Sequence, residues 1–75
     1  MYAGKIIRID RRFGFILPHG RRGRDAHVFF HSSEVIGAEF GDALLNLEVV
    51  YELGTDRDGR RAAKKVRMAE QEIQA

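Results

Sequence analysis

The chain has no cysteine, no tryptophan and a single proline, and no long unbroken apolar run. Without cysteine there are neither disulfides nor thiolate metal ligands, which suits a reducing compartment. No stretch approaches the roughly 20 apolar residues that a membrane-crossing helix needs, and Met1-Tyr2-Ala3-Gly4 does not read as a signal peptide. The expectation is a cytoplasmic protein without a membrane partner. Its 75 residues make one domain, of a size at which one core leaves only about 3–5 kcal/mol of net stability. One small barrel or bundle fits.

What the chain does have is charge sorted into blocks. Met1 to His31 carries seven Lys/Arg against two acids, Ser32 to Asp56 six acids and no Lys/Arg, and Arg57 to Met68 six Lys/Arg against one acid. The formal net charge of +2 therefore understates the field. If the N-terminal half and the last block lie side by side, they form a positive face opposite a negative one, as suits a polyanion held in one orientation.

The aromatic residues sit inside the first basic block. In strands, successive side chains alternate between faces, so Phe13 and Phe15 share a surface, as do His27, Phe29 and His31, while Val28 and Phe30 point inward. Rings that only fill a core need no cations around them. Rings that stack on bases do need cations for the phosphates, and Arg8, Arg11, Arg12, Arg21, Arg22 and Arg24 supply them. These arginines, with His27 and the four residues Phe13, Phe15, Phe29 and His31, are the candidate contacts.

Taken along the chain, Gly4–Ile9 reads as a first strand whose isoleucines do not alternate cleanly. Asp10-Arg11-Arg12 turns it into Phe13–Leu17, which Pro18 ends, with Asp10 expected to take the turn geometry. Gly14, between two phenylalanines, marks a bend or a close approach of backbones. His19–Asp25 is a basic loop and Ala26–His31 a third strand. Ser32–Gly37 reads as one helical turn capped by Ser32 or Ser33. Phe40 stands alone in a polar segment, where a core plug and a contact residue are both open readings. Leu47, Val49, Tyr51 and Leu53 alternate as a fourth strand, Asp58-Gly59 signals a hairpin, and Arg60–Met68 is a fifth strand with Val66 inward. The expected architecture is all-β, a five-stranded antiparallel Greek-key barrel spanning 1–68, with a polar tail at 69–75.

Two chemistries can be weighed against binding. His27 and His31 on one strand lie about 13 Å apart at roughly 3.3 Å per residue, too far to share one metal ion. A nuclease needs two ionisable groups converging on one phosphate, and the acids near the histidines in sequence are Asp10 and Asp25. No catalytic residue, metal ligand or cofactor is expected.

The segments Gly4-Lys5-Ile6-Ile7-Arg8-Ile9, Phe13-Gly14-Phe15-Ile16, Val28-Phe29-Phe30-His31-Ser32, Phe40 and Ala63-Lys64-Lys65-Val66 together resemble, in order and over almost the whole chain, a bacterial cold-shock domain. The second and third match that family's two nucleic-acid-binding motifs. The resemblance implies an oligonucleotide-binding barrel of the cold-shock type (OB-fold) that binds single-stranded RNA or DNA, as RNA chaperone or as regulator of transcription or translation. It places Phe13, Phe15, Phe29 and His31 on the family's stacking positions and Phe40 on its loop aromatic, which favours the contact reading of Phe40.

There are departures. Ile7 and Arg8 stand where the family has lysine and tryptophan, Arg12 replaces a glycine, and Ser32 an aromatic. Asn46 stands where the family has glycine, as the next residue to tolerate positive φ. The loop from His19 to Asp25 is longer and carries three arginines. These changes predict binding shifted from stacking towards electrostatics. A monomer is expected; the alternative is a protein-interaction barrel or domain-swapped dimer that uses the acidic 32–56 surface.

Overall fold

The computed structural model describes residues 1–69; the expected tail lies outside the described residues from position 70 onward. β1 (Tyr2–Ile9) begins two residues before the expected Gly4. Its uneven isoleucines have a simple cause. The β1–β2 register slips between Ile6 and Arg8, so that Ile6 pairs with Ile16 but Arg8 with Phe15. Ile7 is the extra residue of a bulge, which resets the alternation. Ile6 can then be fully buried while Arg8 is exposed and Ile9 packs against the core.

β2 (Phe13–Pro18) follows a turn in which Asp10 N–H donates to the Phe13 carbonyl at 2.8 Å and Arg11 N–H to Asp10 Oδ1 at 2.9 Å. The expectation that Asp10 carries the turn by an unusual backbone is corrected here. Among the described residues only Asn46 and Lys65, besides glycines, have positive φ. Hydrogen bonds close this turn without it. Asn46, at φ 73°, takes the left-handed role foreseen for it.

β3 (Val28–His31) starts two residues later than expected, because Arg24–Ala26 forms a 3-10 turn. Its alternation is as expected, with Val28 and Phe30 buried, His27 and Phe29 half-buried and His31 exposed. The helical turn expected over Ser32–Gly37 is shorter. A 3-10 turn covers Ser32–Glu34, and its N-cap is His31, whose Nδ1 accepts from Ser33 N–H at 3.1 Å. Val35–Ile36 then forms a two-residue β4, parallel to the last strand. Two β-branched residues suit that extended segment better than another helical turn.

β5 (Glu48–Thr55) and β6 (Arg61–Met68) form the closing hairpin. Val49 and Tyr51 are buried, whereas Leu53, expected on the same face, is 39% exposed although its partner Ala63 is fully buried. The β5–β6 register slips by one residue beyond Val50, opposite Lys65, which sits at φ 52°. Glu34 Oε1 accepts from the Lys65 backbone N–H at 3.2 Å, satisfying the amide at this bulge.

The strand order β3-β2-β1-β5-β6 closes on itself through a parallel contact between β3 and β6, where Phe29 pairs with Ala62. Five principal strands thus make a closed barrel, and β4 lies outside it on β6. Ile6, Ile16, Val28, Phe30, Val49, Tyr51, Val66 and Met68 fill the interior, and among the described residues no charged side chain is buried. Burial also pushes the Tyr51 hydroxyl pKa up, only partly offset by the nearby Arg61 and Arg21 cations.

The hairpin tip turns on Asp56. Its Oδ1 accepts from Asp58 N–H (2.8 Å) and Arg60 N–H (2.9 Å), and Gly59 supplies φ 83°. The Arg60 N–H bond, first among several causes, holds the Asp56 carboxyl below the usual aspartate range. A depressed folded-state pKa contributes stability above the unfolded-state value and loses it as pH falls through the folded value. In urea titrations from about pH 6 to about pH 3, wild type is expected to lose more stability than Asp56→Asn. Equal losses would show that the carboxylate is dispensable to the turn.

Candidate nucleic-acid interface

The pairing of β2 with β3 sets Phe13 opposite His31 and Phe15 opposite Phe29. All three phenylalanines are half-buried and lie outside the core cluster. Phe13 stacks on Phe29 with centroids 5.6 Å apart and planes 30° from parallel. Phe15 meets Phe13 edge-on at 5.9 Å and Phe29 at 6.0 Å. One row therefore crosses four strands: Arg8 on β1, Phe15 on β2, Phe29 on β3 and Ala62 on β6. The bulge at Ile7 is what turns Arg8 into that row. Arg8 also reaches Asp10 at 3.6 Å, an exposed pair that restrains the guanidinium weakly.

Phe29 is a ridge between two hollows. One is lined by Phe13, Phe15, His27 and Arg61, the other by Arg12, His31, Ser33, Arg57 and Lys64, and Asp56 and Arg60 border both. His31 is held at Nδ1 by Ser33 N–H, a bond that needs the Nδ1 lone pair, so the neutral ring carries its proton at Nε2. Arg11, Arg12, Arg21 and Arg22 are exposed and make no ion pair with any described residue. Arg21 lies close enough to Tyr51 to influence its ionisation. Arg24 opens the 3-10 turn after that loop.

Phe40 stands apart. Half-buried, it packs edge-on against the buried Phe30 at 6.1 Å and joins the core rather than the surface rings. The histidines do not converge: His19 Nε2 lies 2.5 Å from Glu48 Oε1, while His31 caps its own turn. No group of three or more metal-ligating side chains occurs among the described residues, and no helix there is long and apolar enough to cross a membrane.

Reasoning from sequence missed Arg57, Arg60, Arg61 and Lys64 at this surface. Their signal was the basic block after Arg57, but it is the long-range β3–β6 seam that puts that block beside Phe29. Two of these cations are already partnered. Arg60 meets Asp58 at 3.2 Å and Asp56 at 3.5 Å, and Lys64 meets Glu34 at 3.5 Å. Arg57 and Arg61 have no such partner among the described residues.

No family model and no curated protein matches the sequence. Among solved structures, the cold-shock domain structure of Drosophila Unr, CSD456, is similar over 89% of this chain, with a TM-score of 0.65 and 25% sequence identity. The chain spans about a quarter (26%) of the length of that Unr chain. The closed barrel, its strand order and this likeness together give the chain a cold-shock-domain fold of the OB type.

Proposed function

We propose that the protein binds single-stranded RNA or DNA by stacking successive unpaired bases on Phe13, Phe15 and Phe29, with His27 and His31 at the edges. The fold supports nucleic-acid binding in general, and one observation carries the finer reading. Three rings in mutual contact face outward on a barrel whose core is complete without them. A base in a duplex has its faces covered by its neighbours, so such a platform selects single strands, while Arg8, Arg11, Arg12, Arg21, Arg22 and Arg57 neutralise phosphates around it. Holding unpaired segments open without ATP is RNA chaperoning by mass action, and holding them on a transcript is regulation.

Fluorescence anisotropy with labelled oligo-dT, mixed-sequence single-stranded RNA and duplex DNA across a salt series tests this. Single strands are expected to bind at least about tenfold tighter than duplex, with a log–log salt slope near −0.7 per neutralised phosphate. Replacing Arg11 and Arg12 together by glutamine is expected to make that slope shallower by about 1 to 1.5. Equal affinity for duplex and single strand would reduce the surface to a basic patch.

A further inference from the structure

At one end of the barrel lies an aromatic pair that the platform does not use. Tyr2 pairs in register with Tyr51, and their rings stack with centroids 5.9 Å apart and planes 23° from parallel. Tyr51 is 1% exposed, whereas Tyr2 is 51% exposed. One face of the Tyr2 ring is thus backed by a buried ring while much of the residue meets solvent. Two arginines belong to segments anchored at this end: Arg21 follows His19, which is bonded to Ala3 beside Tyr2, and Arg61 pairs with Thr55 on the strand of Tyr51. Arg21 and Arg61 both act electrostatically on Tyr51, and neither makes an ion pair with a described residue. The loop bearing Arg21 is tied down at its root, since His19 N–H donates to the Ala3 carbonyl (3.0 Å) and Arg21 N–H to the Pro18 carbonyl (3.2 Å). Arg61 also lines the hollow of Phe13, Phe15, His27 and Phe29. Arg61 thus stands at the platform hollow on the strand paired with that of Tyr51.

From this juxtaposition we infer that Tyr2 is a second stacking position, which takes an unpaired base of a strand leaving the Phe15–Phe29 platform, with Arg61 and Arg21 on the intervening phosphates. The inference rests on the single-strand reading above and extends it. A ring with one face packed and the other open offers a stacking surface whose orientation is already fixed, so little entropy is lost when a base lands on it. The cations fit a phosphate backbone passing between the two ring sets, and the partner is one continuous strand rather than a second ligand.

The test is a length series. Labelled oligo-dT from about 4 to about 10 nucleotides, within the usual footprint of one such barrel, is titrated with wild type, Tyr2→Ala and Tyr2→Phe. For the shortest oligonucleotides that bind, Tyr2→Ala is expected to match wild type. For the longer ones it is expected to bind about tenfold more weakly, so its affinity stops rising at a shorter length, and Tyr2→Phe is expected to behave as wild type. Because the chain has two tyrosines and no tryptophan, intrinsic tyrosine emission gives an independent readout. Long but not short oligonucleotides are expected to quench it in wild type, and the quenching is expected to vanish in Tyr2→Phe. A loss independent of length, or none at any length, would overturn the second position and leave Tyr2 as a lid on the barrel. Wild type binding no single strand at any length would instead remove the platform itself.

Discussion

Phe29→Ala is expected to weaken binding of single-stranded oligonucleotides by roughly 10- to 150-fold, about 1.5–3 kcal/mol, and to abolish the preference over duplex. Phe29 stands out because both hollows share it and because Phe13 and Phe15 each lean on it. Its removal therefore takes away one stacking surface and loosens two others. The cost to the fold is much smaller. Phe29 is half-exposed and outside the core cluster, so losing its ring contacts is expected to lower stability by about 1 kcal/mol. Anisotropy titrations and urea midpoints on the same sample separate the two effects. The salt slope should stay at its wild-type value, since no charge is removed. A variant that binds single strands as wild type does would sink the platform; one that loses affinity and salt slope together would show that the ring only positions the arginines.

How far the sequence reveals this surface depends on which interactions are local. β2 and β3 are legible because period-two alternation, a terminating Pro18 and a glycine between two phenylalanines all act within a few residues. The β5–β6 hairpin is legible for the same reason: Asp56 and Gly59 carry their own turn chemistry. The bulges at Ile7 and Lys65 are hidden. Each changes the face of every residue beyond it, and each is defined by the partner strand rather than by its own side chain. That is why the isoleucines of β1 look badly phased in isolation. His31 as an N-cap is hidden too, because serine is the stronger N-cap by residue type and Ser32 or Ser33 is the expected cap. The largest gap is the seam of Phe29 with Ala62. It joins distant parts of the chain through one parallel contact, and with the β4–β6 pairing it brings Arg57 and Arg61 to the rings. The basic block was readable as a block; its place was not.

Gly14→Ala is expected to lower stability by about 3 kcal/mol, most of what a domain of this size possesses. The backbone at Gly14 is not in the left-handed region, so conformational freedom is not the reason for the glycine. Space is. A Cβ placed there would lie 2.6 Å from the Arg8 carbonyl oxygen and 2.8 Å from two ring carbons of Phe30. The first neighbour is backbone and the second a fully buried ring, so neither can move cheaply. Gly54→Ala is the matched control. Its Cβ would meet Lys64 Cγ at 3.0 Å, a side-chain atom that can yield by a small rotation where backbone and a buried ring cannot, and the expected change is no more than about 1 kcal/mol. Urea midpoints of the two variants measure the difference, and equal midpoints would refute the close-packing explanation. The consequence reaches the surface, because Gly14 separates Phe13 from Phe15 and lies between its partners Ile9 and Phe30. Its missing side chain lets β2 settle directly on Phe30, at the depth where Phe13 and Phe15 meet Phe29. If β2 shifts outward to admit the methyl group, the folded fraction of Gly14→Ala should also bind single strands more weakly, with the stacking distances rather than the charges altered and the salt slope unchanged.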